Sequence, residues 1–318
     1  MNLRQNESQR TVPARAKLNL FLDVLGRRPD GYHELQTLLV PVQLYDSLTF
    51  SAKPAGARGR PAAISLEVCV QQALSAGSVH ESQIPGGPEN LVVRALELLR
   101  ERSGCEHGAD VRLIKRIPAA AGMGGGSSDA AAALRLGNRG WGIGWSDDRL
   151  ATLAAELGSD VPFFLSTGPA VCRGRGDEVE RISGIAPLHF VVVKPPVGLS
   201  TADVYHAVDH LPIASDGASV GFVQPDRIAR LVAALRRGDL RSLGQWMGNR
   251  LQDAAATLSP WVECVRTAFA QLDFLGHQMT GSGSAYFGVC RHAQHARRLA
   301  TILRRRQLGL VFIIQSCG

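Results

Sequence analysis

Apolar and polar residues alternate from residue 14 to 24. Leu18, Leu20, Leu22 and Val24 fall on one side of that period, and Lys17, Asn19 and Asp23 fall on the other. A period of two predicts a strand whose polar set forms the wet face of a half-buried sheet, with Lys17 and Asn19 side by side. The run Arg28-Pro29-Asp30-Gly31-Tyr32-His33 predicts a turn, and the more apolar stretch 35–42 a second strand. Alternation returns at 109–117 and stops at Pro118. The spacing changes to a helical one at 90–103, closed by Gly104, and at 146–157, closed by Gly158. Directly after that second stop, Asp160 is expected in a short loop before the apolar Val161-Pro162-Phe163-Phe164-Leu165.

The pattern restarts near Pro187. A buried strand is predicted at 188–193, helices at 202–208, 227–237 and 259–272, two short strands flanking 280–283, a basic helix at 291–306 and a last strand at 308–314. This order implies a small α+β unit with helices on one face of an antiparallel sheet. Segments 51–61 and 76–88, rich in Pro and Gly, read as surface loops. No internal repeat interrupts the series.

Between the strand ending at Pro118 and an alanine-rich helix lies the densest glycine run of the chain, IPAAAGMGGGSSDAAAALRL at 117–136. Gly122, Gly124, Gly125 and Gly126 can adopt positive φ and carry no Cβ, so their N–H groups can converge on one point. Ser127 and Ser128 are suited to cap the helix, and Asp129 suits its first turn. Strand, glycine loop and helix N-terminus together describe an anion site. A P-loop requires Lys before the Ser, and none is present; a dinucleotide fingerprint requires glycine where Ser127 stands. A flexible loop before an alanine helix is the plain alternative.

Composition narrows the picture moderately. The chain has 318 residues, 45% of them hydrophobic, which suits two modest domains or one large one. It contains no apolar run of membrane-spanning length and no signal-like N-terminus, so a cytoplasmic protein without a membrane partner is expected. Six scattered cysteines with no C-x-x-C spacing fit reduced thiols and no structural zinc. A formal charge of +7 admits nucleic acid, a membrane surface or a polyanionic small substrate. In the basic segment 291–306, Leu299, Ile302 and Leu303 share a helical face opposite the arginines, the pattern of a solvated helix. Without interleaved aromatics, no nucleic-acid partner is expected.

Three stretches occur in an order that resembles the GHMP kinase superfamily: PARAKLNLFL at 13–22, PAAAGMGGGSSDAAAA at 118–133 and MTGSGSAYF at 279–287. RPDGYHEL at 28–35, ENLVVR at 89–94 and LGSDVPFF at 157–164 make it similar to the branch of that superfamily which phosphorylates a methylerythritol unit carrying cytidine diphosphate, in the non-mevalonate isoprenoid route. The resemblance implies a two-domain α+β fold. Residues 1–180 would form a ribosomal-protein-like ATP-binding domain and 181–318 a ferredoxin-like domain, with the cleft between them using ATP and Mg²⁺.

It also implies roles. Lys17 and Asp160 match the catalytic pair. Asn90 and Leu91 match the adenine end, and Pro118, Ala119, Ala120, Ala121, Gly122, Met123, Gly124, Gly125, Gly126, Ser127 and Ser128 match the phosphate loop, with Ser128 nearest a metal. Asn19, Tyr32, His33, Thr201 and Tyr205 match the side that holds the cytidine diphosphate substrate, and Thr280, Gly281, Ser282 and Gly283 the third motif. The chain is longer than the resemblance requires at 52–61, 76–88 and 210–223. A monomer and a homodimer both remain open. A kinase for another small alcohol and a basic RNA-associated protein are the competing readings; cytidine binding and salt-dependent RNA binding separate them.

Overall fold

The computed structural model describes residues 9–56, 61–71, 84–210 and 226–317. The expected surface segments at 76–88 and 210–223 lie largely outside them, as does part of the one at 51–61. Strand β1 (Gln9–Arg27) and strand β2 (His33–Ala55) form one long antiparallel hairpin. At its turn the N–H of Arg28 donates to the carbonyl of Tyr32 (2.7 Å), and Asp30 accepts from the N–H of Tyr32 (3.1 Å). β2 therefore continues to Ala55, through the start of the stretch expected to be a loop.

The expected alternation of β1 is interrupted. Its register slips between Arg15 and Ala16, between Asn19 and Phe21, and between Val24 and Gly26. A bulge moves the following side chains to the other face. Leu18, Leu20 and Phe21 thus pack in one core, while Leu22 and Val24 pack in another. Lys17, Asn19 and Asp23 are all buried, so the predicted wet face is interior.

Strand β3 (Ile64–Val70), which the pattern did not announce, runs parallel to β4 (His107–Lys115). The first sheet has the order β3-β4-β2-β1, extended off the early part of β2 by β5 (Ala170–Arg173) and β6 (Glu178–Arg181). Helices α1 (Leu91–Ser103), α2 (Gly125–Gly140) and α3 (Asp147–Leu157) cover it, followed by the short α4 (Val161–Leu165). Asn90 caps α1 through Val92 N–H, Gly104 closes it in the left-handed region, and Ser146 caps α3, as the sequence indicates. The alanines of α2 allow close approach to Leu96, Leu99 and Phe50 in a shared core.

The later half begins with β7 (His189–Lys194) and α5 (Thr201–His210), then α6 (Arg227–Arg237), α7 (Leu240–Trp246), β8 (Gly248–Asn249), α8 (Leu251–Leu258) and α9 (Pro260–Ala270). It closes with β9 (Gly276–Met279), β10 (Tyr286–Cys290), α10 (Ala293–Arg305) and β11 (Leu310–Gln315). These strands form an antiparallel sheet in the order β11-β7-β10-β9. In chain order that is fourth, first, third, second, the ferredoxin-like arrangement. The basic helix α10 buries Ala296, Leu299 and Leu303, and Arg291 and Arg298 reach Asp273 at its surface. β8 pairs with β1 through Phe21 and Leu22, so the later half adds a strand to the first sheet. Between the sheets, Leu18, Phe21 and Val40 pack with Phe190, Val192, Leu231 and Phe287.

Candidate active site

The glycine loop is built differently from the expectation at its helical end. Only Gly122 (φ 71°) and Gly124 (φ 72°) of its four glycines take positive φ; Gly125 and Gly126 are the first residues of α2, and Gly124 is its N-cap. Ser127 and Ser128 are therefore helical rather than capping. The two left-handed glycines turn the chain sharply enough to aim the free N–H groups of the first turn outward. Gly122 also has no space for a side chain, because a Cβ there would fall 2.1 Å from the carbonyl oxygen of Thr280. The loop is pinned on two sides. Lys17 N–H donates to the Met123 carbonyl (3.0 Å), and the N–H groups of Ser284 and Ala285 donate to the carbonyls of Ala120 (3.3 Å) and Ala121 (3.2 Å). These bonds bring the three motif segments to one place.

At that meeting point the ammonium of Lys17 donates to Asn19 Oδ1 at 2.7 Å and stands 3.3 Å from Asp160 Oδ2. Asn19 is held in turn: its Nδ2 donates to Thr37 Oγ1 (2.9 Å), its N–H to Thr280 Oγ1 (3.1 Å), and its carbonyl accepts from Gln278 Nε2 (2.8 Å). Lys17 is almost wholly enclosed, whereas the Asp160 side chain is 35% exposed toward the cleft. Asp160 is not in a free loop. It is the N-cap residue of α4, yet its side chain makes no cap hydrogen bond and is left for Lys17 and the cleft.

Behind the loop lies a charged cluster that no local pattern disclosed. Lys115, at the end of β4, bonds Asp129 Oδ2 at 2.6 Å and also bonds Asp46 of β2. The other Asp46 oxygen accepts from the backbone N–H groups of Arg116 and Ile117. Asp129 is thus no surface residue of a first turn but a buried ion-pair member, and its Oδ1 is buried with no partner among the described residues. Burial pushes its carboxyl up to about 7 against the pull of Lys115, with Asp46 adding to the rise. Burial opposes the charge on Lys115, but the two carboxylates outweigh it and hold its pKa above the ordinary lysine range.

At the opposite end, the β1–β2 turn presents Tyr32 and His33. The His33 ring stacks on Tyr205 of α5, with centroids 5.0 Å apart and planes 26° apart, and His33 Nε2 lies 2.8 Å from Asp209 Oδ1. Arg175 covers the Tyr32 ring at 4.8 Å. Thr201 Oγ1 meets Ser282 Oγ at 2.9 Å, tying α5 to the third motif.

One cleft of about 1030 Å³ unites these features. Its walls carry Lys17, Asn19, Tyr32, His33, Asn90, Leu91, residues 118–127, Asp160, Thr201, Tyr205 and 281–283. Of the residues singled out from the sequence, Ser128 and Thr280 stand behind the wall, both buried. Asn90 spends its side chain on capping α1 and on the Pro85 carbonyl (2.7 Å). The sequence reading missed Lys115, Arg175 and Asp209, which also line the cleft. Asp209 alone had an available signal, the four-residue spacing Thr201, Tyr205, Asp209 on one helix face. Among the described residues, no group of three or more His, Cys, Asp or Glu is placed to hold a metal ion. No helix of the described residues is long and apolar enough to cross a membrane.

Comparison with known proteins is consistent along the chain. Residues 90–168 match the GHMP kinases N terminal domain and 231–308 the GHMP kinases C terminal model. A 4-diphosphocytidyl-2-C-methyl-D-erythritol kinase from Pelotomaculum thermopropionicum is 42% identical over 93% of this chain and 94% of that protein. The protein of the same name from Symbiobacterium thermophilum is 40% identical over 92% and 95%. A crystal structure of 4-(cytidine 5'-diphospho)-2C-methyl-D-erythritol kinase superposes with a TM-score of 0.72 at 33% identity, covering 97% of this chain and 100% of that one. A homoserine kinase from Cytophaga hutchinsonii gives a TM-score of 0.73 at 19% identity, a likeness of fold.

Proposed function

The chain belongs to the GHMP kinases and, within them, to the 4-diphosphocytidyl-2-C-methyl-D-erythritol kinases; from that membership we propose that its cleft transfers the γ-phosphoryl group of ATP to the 2-hydroxyl of 4-diphosphocytidyl-2-C-methyl-D-erythritol, a step of the non-mevalonate isoprenoid pathway. The observation that carries the chemical reading is the Lys17–Asp160 pair, 3.3 Å apart, on the same cleft as a helix N-terminus with free N–H groups. The glycine loop, residues 118–127, receives the phosphates by backbone N–H groups and helix dipole, the means by which a loop without a P-loop lysine binds anions. Leu91, whose side chain lies beside Gly126, supports the adenine end with Asn90.

In this reading the substrate hydroxyl hydrogen-bonds to Asp160. As its oxygen forms a bond to the γ-phosphorus, the bond to the bridging β–γ oxygen breaks, ADP departs, and the hydroxyl proton passes to the carboxylate. Lys17, held in place by Asn19, sets its ammonium 3.3 Å from Asp160 and offsets charge on the transferring group. Phosphoryl transfer depends chiefly on positioning and charge neutralisation, and this network supplies both. Mg²⁺ commonly binds through phosphates, water and one or two carboxylates. The protein groups that fit it are Ser127 on the cleft wall and the unpartnered Oδ1 of Asp129; bound there, the ion would neutralise phosphate charge. Tyr32, His33, Thr201 and Tyr205 hold the cytidine diphosphate end.

ATP consumption assayed with 4-diphosphocytidyl-2-C-methyl-D-erythritol against mevalonate, homoserine and galactose tests the reading. Turnover confined to the first is expected. Preference for any of the other three would overturn it.

A further inference from the structure

A second cavity, of about 460 Å³, lies between the β5–β6 hairpin and α6 and shares no lining residue with the active cleft. Its volume falls within the range of small-molecule sites, roughly 300–1,000 Å³. The floor is apolar: Val171, Ile182 and Ile228 are buried and Val232 is partly buried, where the inter-sheet core comes to the surface. The rim is cationic. Arg173 and Arg181 come from the hairpin, Arg236 and Arg237 from the last turn of α6, and Glu180 is the carboxylate among the lining residues. Glu180 is spent on Arg173 (2.6 Å), and the charge of Arg237 reaches Asp239. Among the described residues, Arg181 and Arg236 have no ion pair and no side-chain hydrogen bond.

Helix α6 sets the two chemistries in order. Ala229 and Ala233, four residues apart, lie on the face that lines the cavity, and Arg236 and Arg237 continue that face about one turn later. A molecule lying along this face meets apolar surface first and positive charge at its far end. The carbonyl end of a helix itself attracts cations, which accounts for arginines on α6 but not for Arg181 on the hairpin. A purely apolar occupant would leave the guanidinium groups without a counter-charge, and a bare anion would leave the apolar floor wet. An apolar chain with a phosphate-type head satisfies both, because guanidinium forks match phosphate oxygens in pairs. The floor calls for the chain itself to enter, so the ligand is a free amphiphile and not a headgroup whose chains stay in a bilayer.

We infer that the groove between the β5–β6 hairpin and α6 is a second ligand site, taking a free amphiphilic phosphate with its chain on the floor of Val171, Ile182, Ile228 and Val232 and its head among the arginines. The site stands whatever reaction the active cleft performs.

Isothermal titration calorimetry with octyl phosphate below its micelle concentration, with and without saturating ATP, tests the site. One saturable site per chain is expected and is retained in ATP, with octanol and inorganic phosphate each binding at least about tenfold more weakly. Two variants separate charge from space. Arg181→Gln with Arg236→Gln removes the two unpaired cations, and Ala233→Phe fills the groove while keeping every arginine. Each is expected to weaken octyl phosphate binding about tenfold or more, with ATP binding and thermal unfolding near wild type, since none of the three positions is buried or lines the active cleft. Displacement of octyl phosphate by ATP would place it in the glycine loop and overturn the inference. So would equal binding of octanol, unchanged affinity in either variant, or the absence of saturable binding by wild type. Flotation with phosphatidylglycerol vesicles distinguishes the source: capture of wild type that the variants abolish would overturn the assignment to a free ligand, and no capture would support it.

Discussion

Asp160 Oδ2 lies 3.3 Å from the Nζ of Lys17, a buried ammonium whose orientation is set by Asn19 Oδ1 at 2.7 Å. Strand β1 supplies the lysine and the start of α4 the carboxylate. If the pair works as one unit, Asp160→Asn should lower kcat about 10²–10⁴-fold with the KM for ATP largely kept. Adding Lys17→Ala should then cost less than the product of the two single losses. Steady-state kinetics of the two single variants and the double variant check this; near-normal turnover of Asp160→Asn would remove it from the chemistry.

The loop and the third motif interlock most tightly at Gly122. Gly122→Ala forces both an unfavourable φ of 71° and a Cβ 2.1 Å from the Thr280 oxygen. A destabilisation of about 1–3 kcal/mol and a raised KM for ATP are expected. Gly126→Ala is the control, since it is helical and its Cβ would meet only the Leu91 side chain at 3.4 Å. Thermal melts and ATP titrations of both should separate them clearly.

Removing the cation from the buried cluster leaves Asp46 and Asp129 facing each other without compensation. Lys115→Met should therefore cost about 3–5 kcal/mol in denaturant unfolding. Restoration of stability when Asp129→Asn is added would identify the uncompensated carboxylate as the cause.

Asp129 also predicts a pH dependence. Its carboxyl is raised from 3.8 to about 7 in the fold, by burial first. Between about pH 4 and about pH 7 the folded protein therefore holds a proton that the unfolded chain has already released. This group's contribution makes the protein more stable at the acidic end of that window and is lost as pH rises through it. The difference in unfolding free energy between wild type and Asp129→Asn, measured across the window, should shift steadily in favour of the variant as pH rises. A constant difference would place the carboxyl near its ordinary value.

In the proposed reading the His33 ring belongs to the acceptor end and not to the phosphate loop. His33→Ala should raise the KM for the cytidine substrate by an amount equivalent to about 1–3 kcal/mol, with ATP binding little changed. Equal weakening of both substrates in initial-rate kinetics would detach His33 from the acceptor.

Local chemistry made much of the frame legible. Asn90 with Gly104 and Ser146 with Gly158 delimit helices because caps and stops act within a few residues, although only Gly104 closes its helix in the left-handed region. The strand expected to run to Pro118 stops at Lys115, where the side chain turns to Asp46 and Asp129. The extent of the β hairpin was less visible, since β2 keeps its pairing as far as Ala55 through a stretch whose Pro and Gly content suggests a loop. At the glycine loop the composition indicated an anion site. Which glycines turn and which begin the helix depended on the Thr280 carbonyl and the Phe164 ring packed against them.

The sequence alone determined the longer helices and most of the strands, without β3, β5, β6 and β8, together with the three motif segments and the residue types able to bind phosphate and move a proton, because these depend on neighbours along the chain. Tertiary structure decided which of them meet. The bulge between Asn19 and Phe21 sent Leu22 to a different core from Leu18, a register effect no period-two count contains. Lys115 and Asp46 are 69 positions apart, and only the β2–β4 pairing makes them one buried ion pair with Asp129. Asp209 reads as one more polar residue on a helix until α5 packs across the cleft and places it on His33. Electrostatic effects of this kind depend on distance through space and on exclusion of water, and chain position specifies neither.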